Sequence, residues 1–150
     1  MYSEKESAGI REKFWTALGQ YLAPIPSAAG VRINWINYKT GIKGITFTSH
    51  ADNNTACVAV EIFNNNTMLQ HHYFDLFHKF APEIGGINLS EWKYEKEYLK
   101  YTGKTISFIS AELKAVNLYN EAEWPEIISF IKKQLMALDL FWNEYKPEFE

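Results

Sequence analysis

Three segments of the chain carry apolar residues at helical spacing, and two blocks between them alternate apolar and polar residues as strands do. The first helical segment should begin at Ser3, because Ser3 and Glu6 fit the Ser-x-x-Glu capping box. Pro24 and Pro26 should end it, since proline cannot continue the helical hydrogen-bond ladder. Its predicted buried stripe consists of Ile10, Phe14, Ala17, Leu18 and Tyr21.

The first alternating block predicts three strands joined by tight turns. We place these strands at Val31–Tyr38, Gly44–Ser49 and Thr55–Phe63. Lys39-Thr40-Gly41 and Asp52-Asn53-Asn54 supply residues that tolerate turn geometry. A three-strand meander is the simplest arrangement. The face of the third strand that should be buried consists of Ala56, Val58, Val60 and Ile62.

The second helical segment should begin near Thr67, which fits a capping box with Gln70. It leads to a second strand pair, which we place at Glu91–Tyr101 and Thr105–Leu113. An alternative stays open for the first strand of this pair, because Ser90 could instead cap a short helix.

The last helical segment carries the longest apolar face. Asn120 and Glu123 suit its N-terminus, and Pro125 is tolerated only in a first turn. The face continues for about six turns, so the helix must lie across the sheet or against another helix. The face consists of Trp124, Ile127, Ile128, Ile131, Leu135, Leu138, Trp142 and Tyr145.

Together these elements predict one α+β domain over residues 1–150, in the order α-β-β-β-α-β-β-α. We expect a mixed or mostly antiparallel sheet of about five strands, flanked by helices. The 47% apolar content is enough to fill a core in a chain of 150 residues. The order α-β-β-β-α-β also matches the core of restriction-endonuclease-like nucleases, and that architecture stays open as an alternative.

Charge and cysteine content narrow the classes of function. The net charge of −3 argues against a free-standing DNA- or RNA-binding domain, while leaving room for a local basic patch. A single cysteine, Cys57, permits neither an internal disulfide nor a thiolate zinc site. The polar start lacks the apolar core of a signal peptide, and no apolar run has the length of a membrane span. We therefore expect a cytoplasmic protein.

One helical segment offers a layout for metal ligation. His71, Asp75 and His78 stand at i, i+4 and i+7, so they share one side of the predicted second helix. That side lies opposite the apolar stripe, and an exposed helix supplies no concave site. The sequence therefore favours a solvated polar face over a metal site, and no cofactor is expected.

Acidic residues near the third strand raise a second possibility. Restriction-like nucleases hold a divalent metal ion with an acidic residue near their second strand and a Glu-x-Lys pair on the third. Here Glu61 is followed by Ile62 and Phe63, so the lysine is missing. Asp52 falls in a predicted turn, and only the fold could bring Glu112 near. We keep an active metal-dependent nuclease, or its inactive descendant, as the alternative to a non-enzymatic protein.

The segment from Asn34 to Gly44 is the strongest candidate for binding. It brings amides, aromatic rings and two lysines together around one turn, which suits a phosphate, a base or a partner's carboxylate. It lacks the glycine spacing of a P-loop. A hairpin with inward aromatics and solvated lysines is the competing interpretation. The candidate binding residues are Arg11, Trp35, Asn37, Tyr38, Lys39 and Lys43.

Three segments of this sequence resemble a bacterial family, domain of unknown function 4268. They are Arg11–Trp15 with Gly19–Tyr21, Asn34–Gly44, and Trp124–Tyr145, of which the middle one is the most specific. Such domains occur alone and as C-terminal additions to larger proteins, some with nuclease-like N-terminal parts. The resemblance implies a link to DNA metabolism or defence against foreign DNA, and it carries over no catalytic residues.

The leading hypothesis is therefore a non-enzymatic binding or interaction module, with a protein or a nucleic acid as its partner and no membrane. If part of the apolar face of the last helix stays uncovered, that helix should form a homodimer.

Overall fold

The computed structural model describes residues 2–150, which form three α-helices and six strands. The helices are α1 (Glu4–Leu22), α2 (Thr67–Phe80) and α3 (Trp124–Tyr145). Four strands form the main sheet: β1 (Ile45–Ala51), β2 (Thr55–Ile62), β5 (Lys93–Leu99) and β6 (Thr105–Lys114). The short strands β3 (Glu83–Ile84) and β4 (Ile87–Asn88) form a separate hairpin, and 3-10 turns lie at Leu89–Glu91, Glu121–Glu123 and Lys146–Phe149.

The main sheet is antiparallel throughout, with the strand order β1-β2-β6-β5. Its central strand β2 buries the predicted face, because Ala56, Val58, Val60 and Ile62 are all inaccessible to solvent. The α+β class and the succession of helices and strand blocks are thus confirmed. The likeness to a nuclease core stays a prediction.

The predicted strand Val31–Tyr38 is not formed, so the main sheet has four strands instead of five. Asn34 explains the difference, because its side-chain Oδ1 accepts hydrogen bonds from the backbone N–H groups of Ile36 and Asn37. Asparagine competes in this way with the strand ladder and folds the chain into a turn. The segment is a loop that packs its aromatic residues inward.

Side chains next to the first turns of α1 and α2 cap these helices. Ser3 and Glu6 form the predicted capping box at α1. The predicted box of Thr67 and Gln70 is wrong, because Asn66 caps α2 by accepting from the N–H groups of Met68 and Leu69. The Gln70 side chain is buried and instead accepts from the backbone N–H of Asn64.

All three helices contribute to a core on one side of the sheet. Helix α3 packs against β1 and β2, α2 packs against β2, β5 and β6, and α1 packs against α3. The apolar face of α3 is covered within the chain, since Ile127, Ile131, Leu135 and Leu138 are at most 1% exposed. A homodimer through this helix requires an uncovered face, and that requirement is not met at these four positions.

Among residues 2–150, no helix combines the length and the apolar character needed to cross a bilayer.

Candidate functional site

A concave surface lies between the loop Ser27–Thr40 and the C-terminal end of α3. It is a cleft of about 620 Å³. From α3 and the turn after it, Asp139, Trp142, Asn143 and Lys146 line the cleft. Their spacing of three or four residues places these side chains on one side of the helix. We call this feature the loop–α3 cleft.

A tight turn shapes the outer end of the loop. The N–H of Gly30 donates to the Ser27 carbonyl at 2.8 Å, and the N–H of Ser27 donates to the Val31 carbonyl at 2.8 Å. Gly30 has φ +79°, a backbone conformation that is sterically unfavourable for residues with a Cβ. The turn brings Arg32 to the rim of the cleft, beside Pro26 in an isolated β-bridge.

Three hydrogen bonds fasten the loop to α3. The buried carboxylate of Asp139, only 4% exposed, accepts from the Ala28 N–H at 2.7 Å and from the Tyr38 hydroxyl at 2.5 Å. The indole N–H of Trp142 donates to the Thr40 carbonyl at 2.8 Å. Burial, together with the hydrogen bond and the negative charge of Asp139, raises the pKa of Tyr38, so its hydroxyl stays a donor. The cleft therefore has a fixed wall.

Three cationic side chains line the cleft: Arg32, Lys39 and Lys146. None of them forms an ion pair or a side-chain hydrogen bond within residues 2–150. The position of Lys146 depends on Gly41, because a Cβ built at Gly41 would lie 2.6 Å from the Lys146 Nζ. Cations gathered in one concave surface raise the local concentration of anions.

Two acidic residues also line the cleft, Asp139 and Glu150. Both oxygens of Asp139 already accept hydrogen bonds from the loop, which leaves it little capacity for a ligand. Ser27 adds a hydroxyl that is buried and has no hydrogen-bond partner in the described chain. A buried polar atom without a partner is uncommon in folded proteins and calls for a ligand or a water molecule.

The structure separates the six predicted binding residues. Asn37, Tyr38 and Lys39 line the loop–α3 cleft. Trp35 is only 3% exposed, and its indole N–H donates to the Ile25 carbonyl, so its ring is core. Lys43 is exposed but lies outside the cleft lining.

Arg11 lies apart from the cleft, on α1, where its guanidinium donates to the Tyr119 hydroxyl at 2.9 Å. Sequence reasoning missed Arg32, Asp139 and Lys146. One signal was present: Asp139 is a charged residue between Leu138 and Leu140 in an otherwise apolar stretch of α3. A carboxylate at such a position has to find hydrogen-bond donors in the fold.

The three carboxylates of the nuclease alternative do not share a site. Asp52 holds its own turn, with Oδ1 accepting from the N–H groups of Asn54 and Thr55. Glu112 is paired in register with Cys57, four residues along β2 from Glu61. At roughly 3.3 Å per residue, Glu61 and Glu112 lie about 13 Å apart along the strand direction.

Glu61 has a basic neighbour that the sequence pattern did not predict. Lys100, at the end of the β5–β6 hairpin, donates to Glu61 Oε1 at 3.0 Å, and Thr48 and His50 contact Oε2. The hydrogen bond with His50, followed by those from Lys100 and Thr48, lowers the pKa of Glu61 to about 2, although burial opposes the shift. Glu61 is thus a carboxylate whose charge is balanced by a lysine.

On the histidine-rich side of α2, His71, Asp75 and His78 each contact a different residue. His71 Nε2 lies 3.5 Å from a Glu97 carboxylate oxygen, and Asp75 Oδ1 forms an ion pair with Lys96 Nζ at 3.0 Å. The ring of His78 stacks on Tyr94 with centroids 4.5 Å apart. Across residues 2–150, no group of three or more His, Cys, Asp or Glu side chains is arranged to hold a metal ion.

Of three comparisons with known proteins, the one with protein-family models gave a match. A search of curated proteins and a search of solved structures produced no match. The family model described as Domain of unknown function (DUF4268) matches residues 10–146, which include the loop and α3 that form the cleft. With most of its 150 residues matched, the chain belongs to the DUF4268 family.

Proposed function

We propose that this domain is a binding module that takes an anionic ligand in the loop–α3 cleft. The observation that carries the proposal is the set of three unpaired cations, Arg32, Lys39 and Lys146, around one concave surface. An anion that binds among them gains Coulomb attraction and charge-assisted hydrogen bonds.

The rest of the lining supports binding over catalysis. Asp139 has both carboxylate oxygens occupied, so it is not free to act as a general base. Tyr38 is held as a hydrogen-bond donor to that same carboxylate. The unpartnered hydroxyl of Ser27 adds a neutral donor to the cleft wall. Asp139 and Tyr38 therefore shape the wall, and the hydrogen bonds to an oxyanion come from the three cations and the Ser27 hydroxyl.

Inorganic phosphate and sulfate are the simplest probes of the proposal. Titration calorimetry at low ionic strength should detect binding, because salt screens charges at an exposed rim. At a phosphate concentration of one hundred times Kd, the folded state gains about 2.7 kcal/mol. For a chain of this size, that free energy raises Tm by roughly 5 to 10 °C.

Lys43 provides a matched control for Lys39. Both lysines are exposed and stand four residues apart, but only Lys39 lines the cleft. Lys39→Glu should weaken phosphate binding about tenfold or more, whereas Lys43→Glu, with the same change in net charge, should leave it nearly unchanged. Equal losses in the two variants would place the anion outside the cleft, and absence of phosphate and sulfate binding in the wild type would refute the proposal.

The nuclease alternative has no comparable support in the geometry. Lys100 forms an ion pair with Glu61, Asp52 lies in the turn between β1 and β2, and Glu112 lies on β6 opposite Cys57. The cytoplasmic location and the link to DNA metabolism or defence stay predictions.

A further inference from the structure

We infer that the ligand of the loop–α3 cleft is a nucleoside monophosphate. This inference rests on the proposed function and adds the chemical class of the ligand. It follows from three features of the lining: its cations, its size, and the amide side chains that accompany the cations.

The cations account for the phosphate group. A phosphate monoester carries close to two negative charges at neutral pH and offers three acceptor oxygens. Arg32, Lys39 and Lys146 supply three cationic groups, more than a single carboxylate would need. The planar guanidinium of Arg32 is suited to bidentate contact with phosphate oxygens.

The size of the cleft exceeds what phosphate alone would fill. Its volume of about 620 Å³ falls within the range of sites that hold organic ligands, roughly 300 to 1,000 Å³. Part of the lining is apolar and includes Val31, which is 55% exposed, whereas Trp142 is only 3% exposed and adds little free surface. An organic group attached to the phosphate would cover this apolar surface, a gain that inorganic phosphate cannot make.

Three asparagines indicate that this organic group has hydrogen-bonding edges. Asn34, Asn37 and Asn143 all line the cleft. The side-chain amide N–H groups of all three donate no hydrogen bond within residues 2–150, and Asn34 uses only its Oδ1. In Asn37 and Asn143 the carboxamide presents a free donor beside a free acceptor, the pattern that pairs with the edges of nucleobases, while Asn34 offers only its donor. A lipid tail or a plain aromatic ring would leave these amides without partners.

Calorimetry with a panel of ligands tests the inference on the whole chain. The panel comprises the monophosphates of adenosine, guanosine, cytidine and uridine, with adenosine, inorganic phosphate, phenyl phosphate and glucose 6-phosphate as comparisons. At least one nucleotide should bind tenfold or more tightly than inorganic phosphate, phenyl phosphate and glucose 6-phosphate. Lys39→Glu should weaken nucleotide and phosphate binding alike.

The asparagine variants give the sharper readout. Asn37→Ala should weaken binding of the preferred nucleotide about tenfold and leave phosphate binding unchanged, because we assign this amide to the base rather than to the phosphate. Asn65→Ala is the control, since Asn65 is exposed, makes no side-chain hydrogen bond and lies outside the cleft.

Two failures are distinguishable. If phosphate binds, and no nucleotide binds more tightly than phosphate or phenyl phosphate, the nucleotide inference is wrong while the anion-binding function stands. If neither phosphate nor any nucleotide binds, both are wrong. Tighter binding of glucose 6-phosphate than of every nucleotide would also overturn the inference, because it would assign the amides to a sugar.

Discussion

Replacing Asp139 with alanine should loosen the wall of the loop–α3 cleft. The carboxylate is 4% exposed and accepts two hydrogen bonds, from the Ala28 N–H and the Tyr38 hydroxyl. Alanine removes both acceptors at once and leaves a small void beside α3. The loop would then keep only the hydrogen bond between the Trp142 indole and the Thr40 carbonyl as an anchor to this helix.

The size of the effect follows from the two lost hydrogen bonds. A hydrogen bond to a charged group contributes about 1.5 to 3 kcal/mol to stability. Ala28 lies at the surface, where water replaces part of the loss. We therefore expect Asp139→Ala to lower the free energy of unfolding by about 3 kcal/mol, near the lower end of the sum for two bonds. That change corresponds to a fall in Tm of roughly 6 to 12 °C.

Urea unfolding, followed by tryptophan fluorescence, measures the change as a shift in midpoint at constant m-value. Tyr38→Phe isolates one of the two bonds, and the double variant completes a mutant cycle. We expect a coupling energy of about 1 kcal/mol or more between Tyr38 and Asp139. A loss below about 1 kcal/mol in Asp139→Ala, or additive effects in the cycle, would refute the claim that this carboxylate anchors the loop.

Three further changes test other parts of the structure. Because the pKa of Glu61 falls from its ordinary value of 4.5 to about 2 in the folded chain, its stabilisation is complete above pH 4.5 and is lost as the pH falls toward 2. Urea unfolding at several pH values measures this loss of stability. Glu61→Gln should reduce the acid-dependent loss by about 2 to 3 kcal/mol, whereas Glu112→Gln should leave the loss unchanged. Gly44→Ala should cost at least about 2 kcal/mol more than Gly103→Ala, because both have positive φ but only a Cβ at Gly44 collides with a backbone atom, the Phe63 carbonyl oxygen. Gly41→Ala should displace Lys146 and weaken phosphate binding about fivefold beyond the effect of Gly103→Ala, as measured by calorimetry; equal binding in the two variants would contradict the assigned position of Lys146.

The predictions that the structure confirms depend on neighbouring residues. The capping box of Ser3 and Glu6 involves two residues three positions apart, and its hydrogen bonds form as the pattern predicts. The buried face of β2 and the apolar face of α3 follow from alternation and helical spacing, which are properties of the local backbone. For these elements, the chain pattern and the packed structure agree.

The failures occurred where a side chain competes with the backbone. Asn34 accepts two backbone hydrogen bonds and turns the chain inside a segment whose alternation predicted a strand. Asn66 similarly displaced Thr67 as the cap of α2. In each case the neighbouring residues suggested a different structure: the alternation around Asn34 suggested a strand, and Thr67 suggested a different helix cap. The sequence pattern does not show which of the competing hydrogen bonds will form.

The candidate site shows the same division. Asn37, Tyr38 and Lys39 could be chosen from the sequence, because amides, aromatics and lysines around a turn suggest binding. Arg32 and Lys146 could not, since neither stands in a recognisable motif and nothing local relates the two.

The sequence by itself determined the class of the fold, the three helices and the buried face of the central strand, because hydrophobic periodicity acts over a few residues. Only the tertiary structure decided that Lys100 balances Glu61, that Asp139 fastens a distant loop, and that three cations share one cleft. These contacts join residues far apart in the chain. Their formation depends on how the helices and the sheet pack in three dimensions, which periodicity does not specify.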